Sequence, residues 1–247
     1  MDFRELLPDC RTVDVAALLD TTEFATRAPA ERPFVAVNFV ATVDGRATLD
    51  GRSGGLGDEG DREVFHGLRE RVDAVLAGTM TLRVERYGRL VKDPERRRGR
   101  VERGHAPEPL ACIVTLTGDV PMDIPLLSEP EARVVIFTPR PIEPLPAAQT
   151  EVVELDAGEL TLTTVMRRLR SHHGVASLLC EGGPTLFAAL LHEQLVDELF
   201  VTVAPKLAGG GHGPTIANGP ELPEPAGARV VWALEHGGSL FLRYAVL

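Results

Sequence analysis

The chain alternates between apolar runs of strand length and segments whose apolar residues recur at helical spacing. Phe34-Val35-Ala36-Val37-Asn38-Phe39-Val40-Ala41 is too continuously apolar for a half-exposed strand and predicts a central one covered on both faces. Asp58-Glu59-Gly60-Asp61 then places acids where a helix begins, and Val64, Phe65, Leu68 and Val72 follow at helical spacing, predicting a helix over 59–71. Strand-length runs come next at 74–77, 110–114 and 133–137. A connection rich in proline (Pro139, Pro141, Pro144, Pro146) leads to a short strand over 150–155. A helix marked by Leu162, Val165, Met166 and Leu169 follows, then a strand over 175–179. Beyond a helix from Pro184 to Leu195, the pattern predicts a strand over 198–203 and an antiparallel pair, 228–234 and 239–246, joined at His236-Gly237-Gly238. The alternation predicts an α/β fold: a mainly parallel central sheet with helices on both faces and an antiparallel C-terminal hairpin. Residues 1–33 are expected to form an N-terminal arm with a short helix near Val13 to Leu19, and 34–247 one domain.

Composition narrows the function. Of 247 residues, 44% are hydrophobic and 25% charged, which is ordinary for a globular protein. No apolar run exceeds strand length, so no membrane span is expected, and Met1 to Glu5 lacks the character of a secretory signal. Cys10, Cys112 and Cys180 are too far apart for a metal or redox motif, and buried thiols of a cytosolic protein are expected. A formal net charge of −10 argues against a nucleic-acid partner. The basic cluster Arg96-Arg97-Arg98-Gly99-Arg100 lies among Pro94, Gly104, Pro107 and Pro109 and is expected to be a solvated loop.

Chemistry concentrates in glycine-containing turns that follow strands: Thr42-Val43-Asp44-Gly45-Arg46, Gly78-Thr79-Met80-Thr81, and Glu181-Gly182-Gly183-Pro184-Thr185. In the last, the glycines permit close backbone approach. Pro184 suits a first helical turn, and the helix after it offers free N–H groups to an anion such as a phosphate. An ordinary tight strand–helix turn is the competing reading. No G-x-G-x-x-G run follows the first strand, and there is no Walker loop, G-x-S-x-G or H-E-x-x-H. The histidines (66, 105, 172, 173, 192, 212, 236) show no metal spacing, so no metal is expected and cofactor-borne chemistry gains ground.

Taken in order, Asn38 to Gly45, Asp50-Gly51-Arg52-Ser53-Gly54, Arg69, Ala77-Gly78-Thr79, Glu181-Gly182-Gly183-Pro184 and Ala204-Pro205-Lys206-Leu207 resemble the reductase domain of bacterial riboflavin biosynthesis. The resemblance covers roughly 34–247 and is nearest to stand-alone pyrimidine reductase proteins of the actinobacterial type. The chain has no zinc-deaminase signature. The resemblance implies a dihydrofolate-reductase-like fold, a homodimer, and NADPH-dependent reduction of 5-amino-6-(5-phosphoribosylamino)uracil or a related compound, hydride passing to the ribose C1′. Dihydrofolate reduction on the same scaffold and a non-catalytic NADP-binding paralogue are the alternatives.

It also implies roles for particular residues. The cofactor diphosphate falls to Gly182, Gly183, Pro184, Thr185 and Leu186, with Gly78 and Thr81 as further cofactor contacts. Ala41, Gly55 and Leu56 would flank the nicotinamide. Thr115 or Thr117 would meet the adenosine 2′-phosphate, with Arg140 as competitor because arginine forks onto phosphate. Asn38, Ser53, Arg69 and Glu181 fall to the substrate, Ser53 and Arg69 taking the ribose phosphate. Glu181 and Asp44 are the carboxylates expected at the reacting centre; turn formation is the plainer role for Asp44. The family's acidic-Pro-x-Leu-Thr-x-Arg element is replaced here by Arg83-Val84-Glu85-Arg86-Tyr87-Gly88-Arg89-Leu90-Val91-Lys92. Glu85 is expected to stand in for its acid on the cofactor, and Lys92 or Arg89 for its phosphate-binding arginine.

Overall fold

The computed structural model describes residues 1–143, 147–210 and 213–247; Pro144, Pro146 and His212 lie outside them. The chain forms two compact units. One comprises Met1–Glu23, Val35–Leu68 and Gly182–Leu247, the other Phe24–Phe34 and Arg69–Glu181.

In the first unit the strands are β1 (Asp2–Leu7), β2 (Arg11–Asp14), β3 (Phe34–Thr42), β9 (Glu198–Ala204), β10 (Ala228–His236) and β11 (Ser239–Val246). They lie in the order β2-β1-β10-β11-β9-β3. Only the β3–β9 pair is parallel, with Ala36 opposite Glu198 and Thr42 opposite Ala204. The expected C-terminal hairpin is present, with His236 paired to Ser239. β9 shows why a half-covered strand alternates: Glu198, Phe200, Thr202 and Ala204 are buried while the residues between them are half-exposed. The stretch expected as an N-terminal arm carries β1, β2 and a short helix. β1 pairs antiparallel with β10, and Asp14 caps helix α1 (Val15–Asp20) by accepting from the Ala17 N–H at 2.9 Å. Helix α2 (Glu59–Arg69) starts as its acids foretold, Asp58 accepting from the Asp61 N–H at 2.9 Å.

The second unit is built on β4 (Ala74–Gly78), β5 (Leu110–Val114), β6 (Arg133–Thr138), β7 (Gln149–Glu154) and β8 (Ser177–Cys180), in the order β8-β4-β5-β6-β7. Every pair is parallel. Ala74–Ala77, Leu110–Ile113, Val134–Phe137 and Ser177–Cys180 are buried without a break, as strands covered on both faces must be. Helix α6 (Leu162–His173) ends at Gly174 in the left-handed conformation (φ 66°), where glycine avoids a Cβ penalty.

Three short helices had no clear hydrophobic pattern: α3 (Thr79–Val84), α4 (Pro94–Glu102) and α5 (Pro125–Ser128). Helix α4 corrects the expectation of a solvated basic loop. Asp93 caps it, and its arginines find partners in the protein. Arg96 pairs with Glu70, Arg97 donates to the carbonyls of Val91 and Lys92, and Arg100 is fully buried. Arg100 donates to the backbone carbonyls of Arg69, Val72 and Ala106. Burial pulls its pKa down to about 10, which leaves it protonated at neutral pH.

Candidate active site

Within the first unit, three of the motif stretches gather. The turn after β3 is closed by the Gly45 N–H donating to Thr42 O at 2.9 Å, with Gly45 at φ 85°. Asp44 accepts from the Ala208 N–H at 3.1 Å, from the Gly209 N–H at 2.7 Å and from the Thr42 hydroxyl. Arg46 donates to Gly209 O at 2.8 Å, and Lys206 Nζ donates to Gly55 O at 2.7 Å and Leu56 O at 2.9 Å. The segments around Asp44, Gly55 and Lys206 are thus tied to one another by side chain-to-backbone bonds. The Thr42 hydroxyl, followed by the two backbone donors, pulls the pKa of Asp44 down to about 2. An ionised group cannot supply a proton at neutral pH. Asp44 anchors the 208–209 backbone to the turn after β3.

Asn38, Ala41 and Leu56 are buried, Ser53 and Gly183 half-buried, and Gly55 and Thr185 exposed. Helix α7 (Pro184–His192) opens from Gly183 with no side chain capping it and Pro184 in its first turn. Its first N–H groups are therefore left to a ligand or to water. Gly182 is required twice over. Its φ is 87°, and a Cβ there would lie 2.9 Å from Cζ and 3.0 Å from Cε1 of Phe39. The Gly182–Gly183 peptide is cis.

Within the second unit, the parallel β4–β8 ladder runs one residue past β8. The Glu181 N–H donates to Leu76 O at 2.9 Å, which fixes Glu181 at the carboxyl end of its strand. Arg69, at the end of α2, meets it in a two-pronged pair: Nε to Oε1 at 2.6 Å and Nη2 to Oε2 at 2.7 Å. Arg69 Nη1 donates to Leu90 O at 2.7 Å, so all three of its nitrogens serve the protein. The Tyr87 hydroxyl donates to Glu181 Oε2 at 2.5 Å, and the Arg69 guanidinium lies 5.4 Å from the centre of the Tyr87 ring. Burial opposes the charge on Arg69, yet the charge and hydrogen bonds of Glu181 outweigh it and leave its pKa raised. Burial, then the charge of Glu181, pushes Tyr87 well above its ordinary value. The two groups expected on the substrate side are therefore each other's partners, and Arg69 holds Glu181 in place. Tyr87 was not singled out from the sequence. One tyrosine without periodicity carries no signal until the fold sets it against a carboxylate.

Gly78 precedes α3 as Gly183 precedes α7, again with no side-chain cap, and Thr81 and Glu85 are half-buried on that helix and at its end. Thr115 is buried and accepts from the Gly118 N–H at 3.1 Å; Thr117 and Arg140 are exposed. Arg89 meets three carboxylates, Glu108 at 2.9 Å, Glu129 at 2.9 Å and Glu131 at 2.5 Å. That surround repels an anion and leaves Lys92, which is exposed, as the phosphate candidate of its segment. No group of residues able to hold a metal occurs, and no helix is long and apolar enough to cross a membrane, among the described residues.

The model of the RibD C-terminal domain family matches residues 33–236. Over 193 residues the chain is 31% identical to the 2,5-diamino-6-ribosylamino-4(3H)-pyrimidinone 5′-phosphate reductase of Archaeoglobus fulgidus, covering 76% of this chain and 87% of that protein. The reductase of the same name from Methanothermobacter thermautotrophicus is 32% identical over 202 residues, covering 80% and 89%. Among solved structures, a pyrimidine reductase-like protein from Corynebacterium diphtheriae is similar with a TM-score of 0.81 at 20% identity, covering 95% of this chain and 99% of that one. The riboflavin biosynthesis reductase of Saccharomyces cerevisiae gives 0.70 at 15% identity, covering 95% and 100%. These two structures bear on the fold, and they agree with the dihydrofolate-reductase-like α/β architecture that the motifs imply.

Proposed function

This chain belongs to the RibD C-terminal domain family, and on that premise we propose that it reduces a ribosylaminopyrimidine 5′-phosphate with NADPH. The relatives named as 2,5-diamino-6-ribosylamino-4(3H)-pyrimidinone 5′-phosphate reductases support this substrate class, and they favour the diaminopyrimidinone as the related compound to test first. The structural observation that carries the reading is the fixed carboxylate of Glu181, followed in the chain by the uncapped Gly183–Pro184 helix start. NADPH would supply the hydride, and water the accompanying proton, that convert the ribosyl group to its ribityl form.

The chain's own residues bind and orient. The free N–H groups at the start of α7, around Thr185 and Leu186, take the cofactor diphosphate, because helix N-termini attract anions. Gly78, Thr81, Glu85 and Thr115 or Thr117 are proposed as its further contacts, and Ala41, Gly55 and Leu56 as those of the nicotinamide. Glu181 accepts a hydrogen bond from the substrate. A carboxylate offers about four acceptor positions, and Arg69 and Tyr87 occupy three of them. The remaining position, on Oε1, selects a hydroxyl or N–H of the substrate. Asn38 and Ser53 complete the substrate contacts, and Asp44 keeps the turn after β3 in shape. A homodimer is proposed from the family resemblance.

NADPH oxidation, followed by absorbance with each pyrimidine phosphate in turn, tests the reading. Turnover is expected with the diaminopyrimidinone or the aminouracil compound. Dihydrofolate turnover far above either one would overturn it. Glu181→Gln is expected to slow the single-turnover rate more than it weakens NADPH binding.

A further inference from the structure

We propose that Tyr87 is a positioning residue for this reaction, acting through Glu181 to leave one carboxylate lone pair, and a fixed one, for the substrate. The inference rests on the reading of Glu181 given above. The observations are geometric. The Tyr87 hydroxyl donates to Oε2 at 2.5 Å, the same oxygen that takes Arg69 Nη2 at 2.7 Å, while among the described residues Oε1 takes only Arg69 Nε, at 2.6 Å. Arg69 alone holds the carboxylate in the plane of its guanidinium. It leaves both oxygens with a free lone pair, and so two directions in which to meet a substrate. Tyr87 closes the direction on Oε2. What is left on the carboxylate is a single acceptor position, on Oε1, which the functional reading gives to the substrate.

The protein also fixes the tyrosine. Its N–H donates to Leu82 O at 3.2 Å and its carbonyl accepts from the Leu126 N–H at 2.9 Å, so the backbone is held from both sides. The preceding residue, Arg86, adopts φ 47°, a left-handed conformation just after the end of α3. Arg69 packs over the ring, 5.4 Å from its centre. Arg69, Tyr87 and Glu181 therefore form a closed set in which each member touches the other two.

Tyr87→Phe deletes the hydroxyl and keeps the ring, and with it the Arg69 contact. The test is a double-variant cycle of wild type, Tyr87→Phe, Glu181→Gln and both together, read by kinetics and by thermal melting. With the pyrimidine phosphate varied, Tyr87→Phe is expected to lower kcat/KM about tenfold and leave the KM for NADPH unchanged. In the Glu181→Gln background the same change is expected to cost less than about twofold, because the group it positions is already altered. Equal fold-losses in both backgrounds would overturn the proposal, since a tyrosine that merely supports the fold acts independently of Glu181. The melts decide the pairing without any substrate. Losses that fail to add support it, and additive losses overturn it. If wild type turns over no ribosylaminopyrimidine phosphate, the functional reading fails by that result alone, and the melting cycle still tests the Tyr87–Glu181 link.

Discussion

Arg69→Met would remove the guanidinium while keeping most of the side chain's apolar stem in place. Arg69 is 7% exposed and Glu181 8%, so the carboxylate left behind could not recover its hydration by moving to the surface. Breaking a buried ion pair from one side costs about 3–5 kcal/mol, because the surviving charge stays buried without its partner. The lost hydrogen bond to Leu90 O adds about 1 kcal/mol. Together they predict a loss of about 4–6 kcal/mol. For a chain of this size about 1 kcal/mol moves the melting temperature by roughly 2–4 °C, so the midpoint should fall by roughly 10–20 °C. The assay is thermal and urea unfolding followed by far-ultraviolet circular dichroism. Adding Glu181→Gln to Arg69→Met removes the stranded charge, and the double variant should recover about 2 kcal/mol relative to the sum of the single changes. A phosphate contact makes a different prediction for Arg69: a raised KM for the phosphorylated pyrimidine at unchanged stability. An Arg69→Met protein that melts within about 3 °C of wild type would refute the reasoning from the ion pair.

Three further outcomes follow from the geometry. Gly182→Ala places a methyl within 3.0 Å of the Phe39 ring at a φ of 87°; it should cost about 2–4 kcal/mol by overpacking and backbone strain, read by urea unfolding, and a change below about 0.5 kcal/mol would show that the turn relaxes freely. Asp44 has its pKa depressed to about 2, so its contribution is present above the ordinary carboxylate value of about 4 and is lost as pH falls through about 2. The stability gap between Asp44→Asn and wild type, measured by urea unfolding, should therefore be pH-independent near neutrality and close between about pH 4 and 2. The Cys112 thiol is buried and its pKa pushed up by desolvation, and Cys180 is also buried, whereas Cys10 is exposed, which corrects the expectation that all three are buried. A thiol reagent should label one cysteine in the native protein and three after denaturation, and rapid labelling of all three in the native state would contradict the packing.

The hydrophobic pattern was enough to read the second unit's strands. Burial on both faces demands unbroken apolar runs such as Leu110–Val114 and Val134–Phe137, and those runs stand out in any order of reading. The same holds for the Gly182-Gly183-Pro184 turn, whose residue types are dictated locally by backbone conformation and by the helix that follows. Helix α4 was illegible for the opposite reason. Its stability comes from Asp93 at its cap and from arginines that find Glu70 and distant backbone carbonyls, and no periodicity announces partners that lie far along the chain. The first strand pair was missed likewise, since β1 is held by its ladder with β10, more than two hundred residues away.

The candidate site divides along the same line. The sequence by itself determined which residues were chemically eligible: a carboxylate at a strand end, glycines before a helix, arginines and hydroxyls to meet phosphate. Tertiary structure alone decided what each eligible group was free to do. Long-range pairing set Arg69 against Glu181, surrounded Arg89 with carboxylates, lowered the pKa of Asp44 through the Thr42 hydroxyl and the backbone of 208–209, and brought Tyr87 onto Oε2. A side chain's charge and hydrogen-bonding capacity are fixed by its covalent structure, but whether that capacity is already spent depends on neighbours that only folding supplies.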